Sequence, residues 1–380
     1  MLMQLDAEQQ AIQRTVARFA RENIAPHASE WDETSHFPRE IMAPLAKLGL
    51  MGMTIPEAQD GTELSRMTMA VVYETVAMSD LSTMIWLGVH NMVAGMIAKF
   101  GDAAQQARYL PRMAAGEWLG AFSLSESGAG SDAASLRTTA RRVGDTYTLN
   151  GTKAWVTSGS VADVYVIMAR TSDAPGSAGI SAFLIERDTP GLAVGKIERK
   201  MGLHSSPTTE IILTDCPIPA SQRLGAEGQG LRFALSTLDS GRINVAAGAT
   251  GAAQAAFEIA RDYAKERQQF GKHLAEFQAI QFMLADMSMQ IDAARLLVRY
   301  AAALFDANGQ ATKEASQAKC FATDMAMRVT TDAVQVLGGA GYVHDWPLER
   351  FMRDVKVTQI FEGTNQIQRI IIARELLKEG

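Results

Sequence analysis

The rhythm of apolar residues changes twice along the 380-residue chain. Near the start Ile12, Val16 and Phe19 recur at spacings of four and three, the period of one helix face. Asp6, with Gln9 three residues on, reads as an N-cap with a capping box in front of that helix. The first 120 residues are predicted mostly helical, with Pro38, Pro56 and Pro111 in loops between the helices. The pattern then shortens. Residues 147–156 read as two strand segments around an Asn150-Gly151 turn, and residues 164–168 and 180–185 as short β-rich runs. Helical spacing returns beyond Pro219, because residues 220–346 hold no proline and are rich in Ala, Leu, Met, Gln and Arg. An interior proline costs a helix about 3 kcal/mol, so its absence over that length favours long helices. Within them, residues 280–287 carry apolar positions three and four apart, as on a packed face, and one-sided stripes on long helices predict a bundle.

The expected fold is therefore α+β and multidomain. An N-terminal helical domain spans residues 1–120, a central β-domain 121–228 and a C-terminal helical bundle 229–380. Composition narrows the function. With 47% hydrophobic and 21% charged residues the chain reads as soluble and globular. A net charge of -6 argues against nucleic acid as a partner. No uninterrupted apolar run reaches the roughly 18–20 residues that cross a bilayer, and the N-terminal residues lack a basic n-region and an apolar h-region. A cytoplasmic protein with no membrane association is expected. Cys216 and Cys320 form no disulfide framework and no CxxC, the six histidines are scattered, and no metal site is predicted. The twenty methionines are read as adaptable core packing.

The candidate chemistry centres on Glu362, in Ile360-Phe361-Glu362-Gly363-Thr364-Asn365-Gln366. Two apolar residues precede the carboxylate, a glycine follows it, and an amphipathic helix is predicted directly afterwards. Partial desolvation raises a carboxyl pKa, as a general base requires, while the helix N-terminus pulls the other way. Two further blocks stand out. One is Phe122-Ser123-Leu124-Ser125-Glu126-Ser127-Gly128-Ala129-Gly130-Ser131-Asp132; the other is Gln335-Val336-Leu337-Gly338-Gly339-Ala340-Gly341-Tyr342, continued by Asp345, Arg350 and Asp354. In kind, order and spacing the three blocks resemble the signatures of the acyl-CoA dehydrogenases, and the resemblance covers the whole chain.

That resemblance implies a helical, β-barrel-like and four-helix-bundle architecture, and Glu362 as the catalytic base. It also implies FAD, since no side chain accepts hydride and the chain shows neither a GxGxxG after a strand nor a GxxxxGK[ST] loop. The implied FAD contacts are Phe122, Ser123, Leu124, Ser125, Gly130 and Ser131, then Trp155, Val156 and Thr157. Ser127 stands where the family usually has proline. Arg267, Gln269, Phe277 and Gln278, with Gln335, Val336, Leu337, Gly338 and Gly339, are implied to reach FAD from a neighbouring subunit, in a homotetramer built as a dimer of dimers. Thr364, Asn365 and Gln366 complete the implied cofactor set. For the acyl-CoA the matching positions are Ser131, Asp239, Ser240, Gly241, Arg242, Gly363 and Arg374. In some branches the base precedes the arginine; here that position is Gly241, which leaves Glu362.

The implied reaction is α,β-dehydrogenation of an acyl-CoA to the 2-enoyl thioester, with electrons passed to an electron-transfer flavoprotein. Glu30-Trp31-Asp32, residues 61–66, His90-Asn91-Met92, residues 130–136 and Gly241-Arg242-Ile243-Asn244 look most like the isobutyryl, valine-catabolism branch. Short straight-chain and 2-methylbutyryl thioesters stay open, as one methylene is worth only about 1–3 kcal/mol of discrimination. A flavin monooxygenase and a flavin-free scaffold on the same fold stay open as other classes; the residue at 362 and the intact cofactor segments count against them.

Overall fold

The computed structural model describes residues 4–378; residues 1–3, part of the stretch read for a targeting signal, lie outside them. The predicted capping box forms. The Gln9 N–H donates to Asp6 Oδ1 at 2.8 Å and the Asp6 N–H to Gln9 Oε1 at 3.2 Å, opening α1 (Ala7–Asn23). Then follow α2 (Ala28–Thr34), α3 (Met42–Lys47), α4 (Arg66–Ala77), α5 (Leu81–Phe100) and α6 (Ala103–Ala114). Helix α5 is long and apolar enough to cross a membrane, but 72% of its most apolar stretch is buried and it packs in the core. Pro111, predicted in a loop, lies inside α6. Burial of its neighbours Tyr109, Leu110 and Met113 holds the last turn together despite the lost amide.

Strands β1 (Gly120–Ser123), β2 (Thr139–Val143), β3 (Thr146–Thr157), β4 (Val164–Arg170), β5 (Ile180–Glu186), β6 (Leu192–Ile197), β7 (Thr208–Pro219) and β8 (Arg223–Leu224) form one sheet. Its order is β6-β7-β3-β2-β4-β5-β8, with β1 parallel to β4. The expected turn at Asn150-Gly151 is not there. β3 runs straight through, with a bulge against β7 at that point, and the Asn150 amide exchanges hydrogen bonds with Asp215. The turn lies one segment earlier, at Gly144-Asp145, where Val143 pairs with Thr146 and Gly144 takes φ 61°.

The C-terminal part holds α7 (Gly230–Glu266), α8 (Gln278–Asn308) and α9 (Thr312–Leu337), of 37, 31 and 26 residues. A small hairpin, β9 (Gln268–Gln269) and β10 (Lys272–His273), joins α7 to α8. Short α10 (Gly339–Tyr342), then α11 (Leu348–Lys356) and α12 (Asn365–Leu376), close the chain. Helices α7 and α9 pack against each other, and Ala246, Ala249, Ala253 and Ala260 of α7 share one buried cluster with Ala315, Ala322 and Ala326 of α9. Helices α4 and α5 also pack on α7, and α4 on α8, so these contacts join the N-terminal helices to the bundle. Of residues 280–287, Met287 is fully buried but Phe282 is 60% exposed, so the predicted stripe is only partly covered within one chain.

Candidate active site

The chain turns sharply between the 3-10 turn Val357–Gln359 and α12. Glu362 takes φ 55° and Gly363 φ 85°, two left-handed residues in succession. For a glutamate that conformation costs on the order of 1–3 kcal/mol and must be held by its surroundings. Two buried side chains hold it. Gln368 Nε2 donates to the Glu362 carbonyl at 3.0 Å and to the Gly363 carbonyl at 2.9 Å. Lys319 Nζ, from α9, donates to the Gly363 carbonyl at 2.9 Å and to Asn365 Oδ1 at 2.9 Å. Thr364 caps α12, its hydroxyl accepting from the Ile367 N–H at 3.3 Å.

The turn aims the Glu362 side chain at α7. Its Oε2 is sealed from solvent and has no hydrogen-bond partner. Burial pushes the carboxyl pKa above its ordinary value, and the nearby Arg242 and Lys319 charges pull it part of the way back. The opposition of effects that the sequence left unsigned thus resolves upward. Gly241 faces this carboxylate so closely that a Cβ there would lie 2.9 Å from Oε2 and 3.1 Å from Cδ. The position that cannot supply a base is also the one that leaves room for Glu362.

One residue along, Arg242 is 5% exposed and donates through Nη1 to Asp239 Oδ1 at 2.9 Å, while its Nε has no partner. Thr312 Oγ1 donates to the other Asp239 oxygen at 2.6 Å. Ser240 lies buried beside them. Glu362, Gly363, Gly241, Arg242 and Asp239 therefore share one corner between α7, α9 and α12. Arg374 lies outside it, exposed and paired with Glu375 at 3.1 Å, although its charge is felt at Arg242.

The segment after β1 is anchored by a pair that sequence reasoning passed over. Glu126 accepts from Lys153 Nζ at 2.9 Å, from the Arg137 and Thr138 N–H groups at 2.7 and 2.9 Å, and from Thr138 Oγ1 at 2.6 Å. Burial pushes the Glu126 carboxyl up, but Lys153 and these donors together hold it below the usual range. Burial brings the Lys153 ammonium down to about 8. With that anchor set, Gly130 and Ser131 stand exposed at the rim, and a Cβ at Gly128 or Gly130 would meet no protein atom within 4 Å. Ser123 Oγ is buried without a partner. A second bulge, between Lys153 and Val156, puts Trp155 at φ 61° with its indole 59% exposed. Val156 points the other way, into the β-domain core, and can offer a ligand only backbone.

Open glycine-lined space, an unpartnered buried hydroxyl and an indole thrust out of a strand fit a flat aromatic cofactor such as a flavin. The other predicted contacts are less enclosed. Arg267, Gln269 and Gln278 are exposed around the β9–β10 hairpin, which rests on α7, and Phe270 at its tip is 93% exposed. Gln335, Gly338 and Gly339 are exposed where α9 ends, whereas Val336 and Leu337 are buried in the bundle. The Asn365 carboxamide is fully engaged inside the protein, with Lys319, Thr323 and Asp324. Lys319 did carry a sequence signal: it is a lone charge on a face of Ala315, Ala318, Ala322 and Ala326. Gln368 carried none.

A carboxylate with one sealed oxygen, poised against a helix of small residues, and an exposed indole beside a glycine-rich loop on the β-domain suit a flavin-dependent oxidoreductase. The N-terminal, middle and C-terminal domains of the acyl-CoA dehydrogenase family match residues 6–117, 121–216 and 228–377, and the chain belongs to that family. The family comprises oxidoreductases acting on the CH–CH bonds of acyl-CoA. The chain is 42% identical over 376 residues to the mitochondrial isobutyryl-CoA dehydrogenase of Dictyostelium discoideum, covering 99% of this chain and 90% of that one. Among solved structures, the butyryl-CoA dehydrogenase of Megasphaera elsdenii superposes with a TM-score of 0.95 at 42% identity, covering 98% of this chain and 99% of that one. A chain from a structure described as an electron transferring flavoprotein of Acidaminococcus fermentans gives a TM-score of 0.96 at 44% identity, with 99% of both chains covered.

Proposed function

We propose that this protein dehydrogenates a short, branched, isobutyryl-like acyl-CoA to its 2-enoyl thioester, with Glu362 as the base that removes the α-proton. The observation that carries the reading is the desolvated Glu362 Oε2, which has no hydrogen-bond partner and occupies the space that a side chain at Gly241 would fill. A base without a partner has its lone pairs free for a substrate proton, and its raised pKa brings it closer to the acidity of an activated α-carbon. The Glu362 N–H finds no acceptor among the described residues, so it is free to donate to the thioester carbonyl and stabilise the developing enolate. Arg242, fixed by Asp239, with Ser240 and Gly363, binds the acyl-CoA at that corner, with Ser131 and Arg374 towards the outside.

FAD, when bound, supplies the acceptor for the β-hydrogen and its electron pair. Phe122, Ser123, Leu124, Ser125, Gly130, Ser131, Trp155 and Thr157 would hold it on the β-domain. Arg267, Gln269, Phe277 and Gln278, with the end of α9, would hold the pyrophosphate and adenosine of a neighbouring subunit's FAD. The exposure of these groups in one chain supports a shared site and a homotetramer. The likeness to the Acidaminococcus chain supports an electron-transfer flavoprotein as the acceptor.

A second reading, a short straight-chain substrate, is favoured by the equal 42% identity to a butyryl-CoA dehydrogenase. Steady-state assays with isobutyryl-, butyryl-, 2-methylbutyryl-, isovaleryl- and octanoyl-CoA decide between them. The proposal expects isobutyryl-CoA to have the highest kcat/KM, by roughly 10- to 100-fold over octanoyl-CoA. Octanoyl-CoA as the best substrate would overturn the short-chain assignment.

A further inference from the structure

Lys319 is a long cationic side chain with no solvent exposure, in the middle of an alanine-lined face of α9. A buried charge is costly unless it is paired or hydrogen-bonded. Here the ammonium is aimed at the turn that carries Glu362, donating at 2.9 Å to both the Gly363 carbonyl and Asn365 Oδ1. Its own charge interacts with that of Glu362.

Resting on the reading of Glu362 as base, we propose that Lys319 is a positioning residue for it. Its ammonium locks the left-handed Glu362-Gly363 turn and adds, beside Arg242, positive charge that favours the ionised carboxylate in a desolvated corner.

Three features support this. The Gly363 carbonyl takes two donors, Lys319 Nζ and Gln368 Nε2, both at 2.9 Å, so the peptide unit just beyond the base is fixed from two helices. The partner amide is itself held, because Asn365 Nδ2 donates to Asp324 Oδ1 at 2.7 Å and to Thr323 Oγ1 at 2.9 Å. Asp324 is in turn paired with Arg369 at 2.8 Å, so its charge is already engaged and competes less for Lys319. The charged and titratable groups around Lys319 are thus Glu362 from the turn, Arg242 from α7, and Cys320 and Asp324 from α9. Around Glu362 they are Arg242 and Lys319. Arg242 exerts the larger pull on Glu362 but is also paired with Asp239, whereas the Lys319 hydrogen bonds go to the Gly363 carbonyl and the Asn365 amide.

The test is the pH profile of kcat/KM for the holoenzyme carrying Lys319→Met, with bound FAD measured to confirm the fold. An opposite charge within about 4–6 Å lowers a carboxyl pKa by about 1–3 units. Lys319 forms no direct ion pair with Glu362 and pulls on it less than Arg242 does, so its removal should move the acid limb upward by roughly half to one unit. If Lys319→Met does not yield folded holoenzyme, Lys319→Gln, which keeps a donor but no charge, carries the same expectation. Lys319→Arg should return the limb towards wild type. An acid limb that stays at the wild-type position in the charge-free variant overturns the proposal. Glu362→Gln run alongside separates the two layers. If it is inactive while the limb does not move, only the role of Lys319 fails; if it is active, the base assignment itself fails.

Discussion

The two halves of the candidate site are built differently. The corner around Glu362 is built within one chain: the turn, the carboxylate, the buried lysine, the glutamine and the facing glycine come from α7, α9 and the start of α12 and are packed together. The outer part, around Arg267 and the end of α9, is exposed, with Phe270 at 93% and Tyr342 at 81% accessibility. Chemistry that depends on desolvation is placed where one chain can exclude water by itself. The rim proposed to grip the cofactor carries charged and aromatic groups that lie uncovered in one chain. One region should therefore respond to mutation independently of protein concentration, and the other should not.

The largest expected effect is at the inner corner. Glu362→Gln should keep FAD and bind acyl-CoA, yet lose about 10²–10⁴-fold in turnover. Because burial raises the carboxyl pKa, activity in the wild type should fall as pH drops through a value above that of an ordinary glutamate; stopped-flow rates against pH would show it. Turnover within about threefold of wild type would remove Glu362 from the role.

Next is the anchor beneath the glycine-rich loop after β1. Glu126→Ala leaves Lys153 buried with only the Leu124 carbonyl, at 3.1 Å, as partner. Breaking a buried pair from one side costs about 3–5 kcal/mol, so a large fall in denaturant midpoint is expected, with FAD loss following it. An unchanged midpoint would mean the loop does not depend on this pair.

At the rim, Arg267→Ala should weaken FAD retention by about 10- to 100-fold, the loss of charge-assisted hydrogen bonds, with little change in the unfolding of the chain itself. Flavin fluorescence against protein concentration, beside sedimentation, is the measurement. If the site is shared, dilution releases FAD as the assembly dissociates. A monomer that holds FAD tightly would show both regions to be complete in one chain.

The smallest effect sharpens the inner geometry. Gly241→Ala puts a methyl 2.9 Å from Glu362 Oε2, an overpacking worth about 1–3 kcal/mol. It should lower kcat by roughly 5- to 100-fold while leaving FAD content unchanged. Unaltered kcat would show that the carboxylate has room to move aside.

Much of this was legible in the chain. The proline-free stretch announced the long helices, Asp6 and Gln9 the first cap, and the setting of Glu362 its desolvation. What escaped did so for identifiable reasons. Asn150-Gly151 has the composition of a hairpin turn, but the same pair suits a bulge in a continuous strand, and only the partner Asp215, 65 residues away, decides between them. Pro111 stays helical because tertiary burial outweighs a local preference. The buried pair Glu126–Lys153 joins residues 27 apart, and Gln368 reaches back to hold a turn six residues before it; neither arrangement leaves a periodic trace. Local patterns report elements, whereas the groups that hold a catalytic residue in a strained conformation are specified by contacts across the fold.

The central claim is a buried base acting on a short acyl-CoA next to a flavin. Its most direct test is an anaerobic titration of the purified FAD-loaded protein with isobutyryl-CoA, followed in the visible spectrum. The expected result is bleaching of the flavin absorbance in the wild type and none in Glu362→Gln at the same thioester concentration. A wild-type spectrum left unchanged by isobutyryl-, butyryl- and 2-methylbutyryl-CoA alike, or a variant that bleaches as fully as wild type, would contradict it.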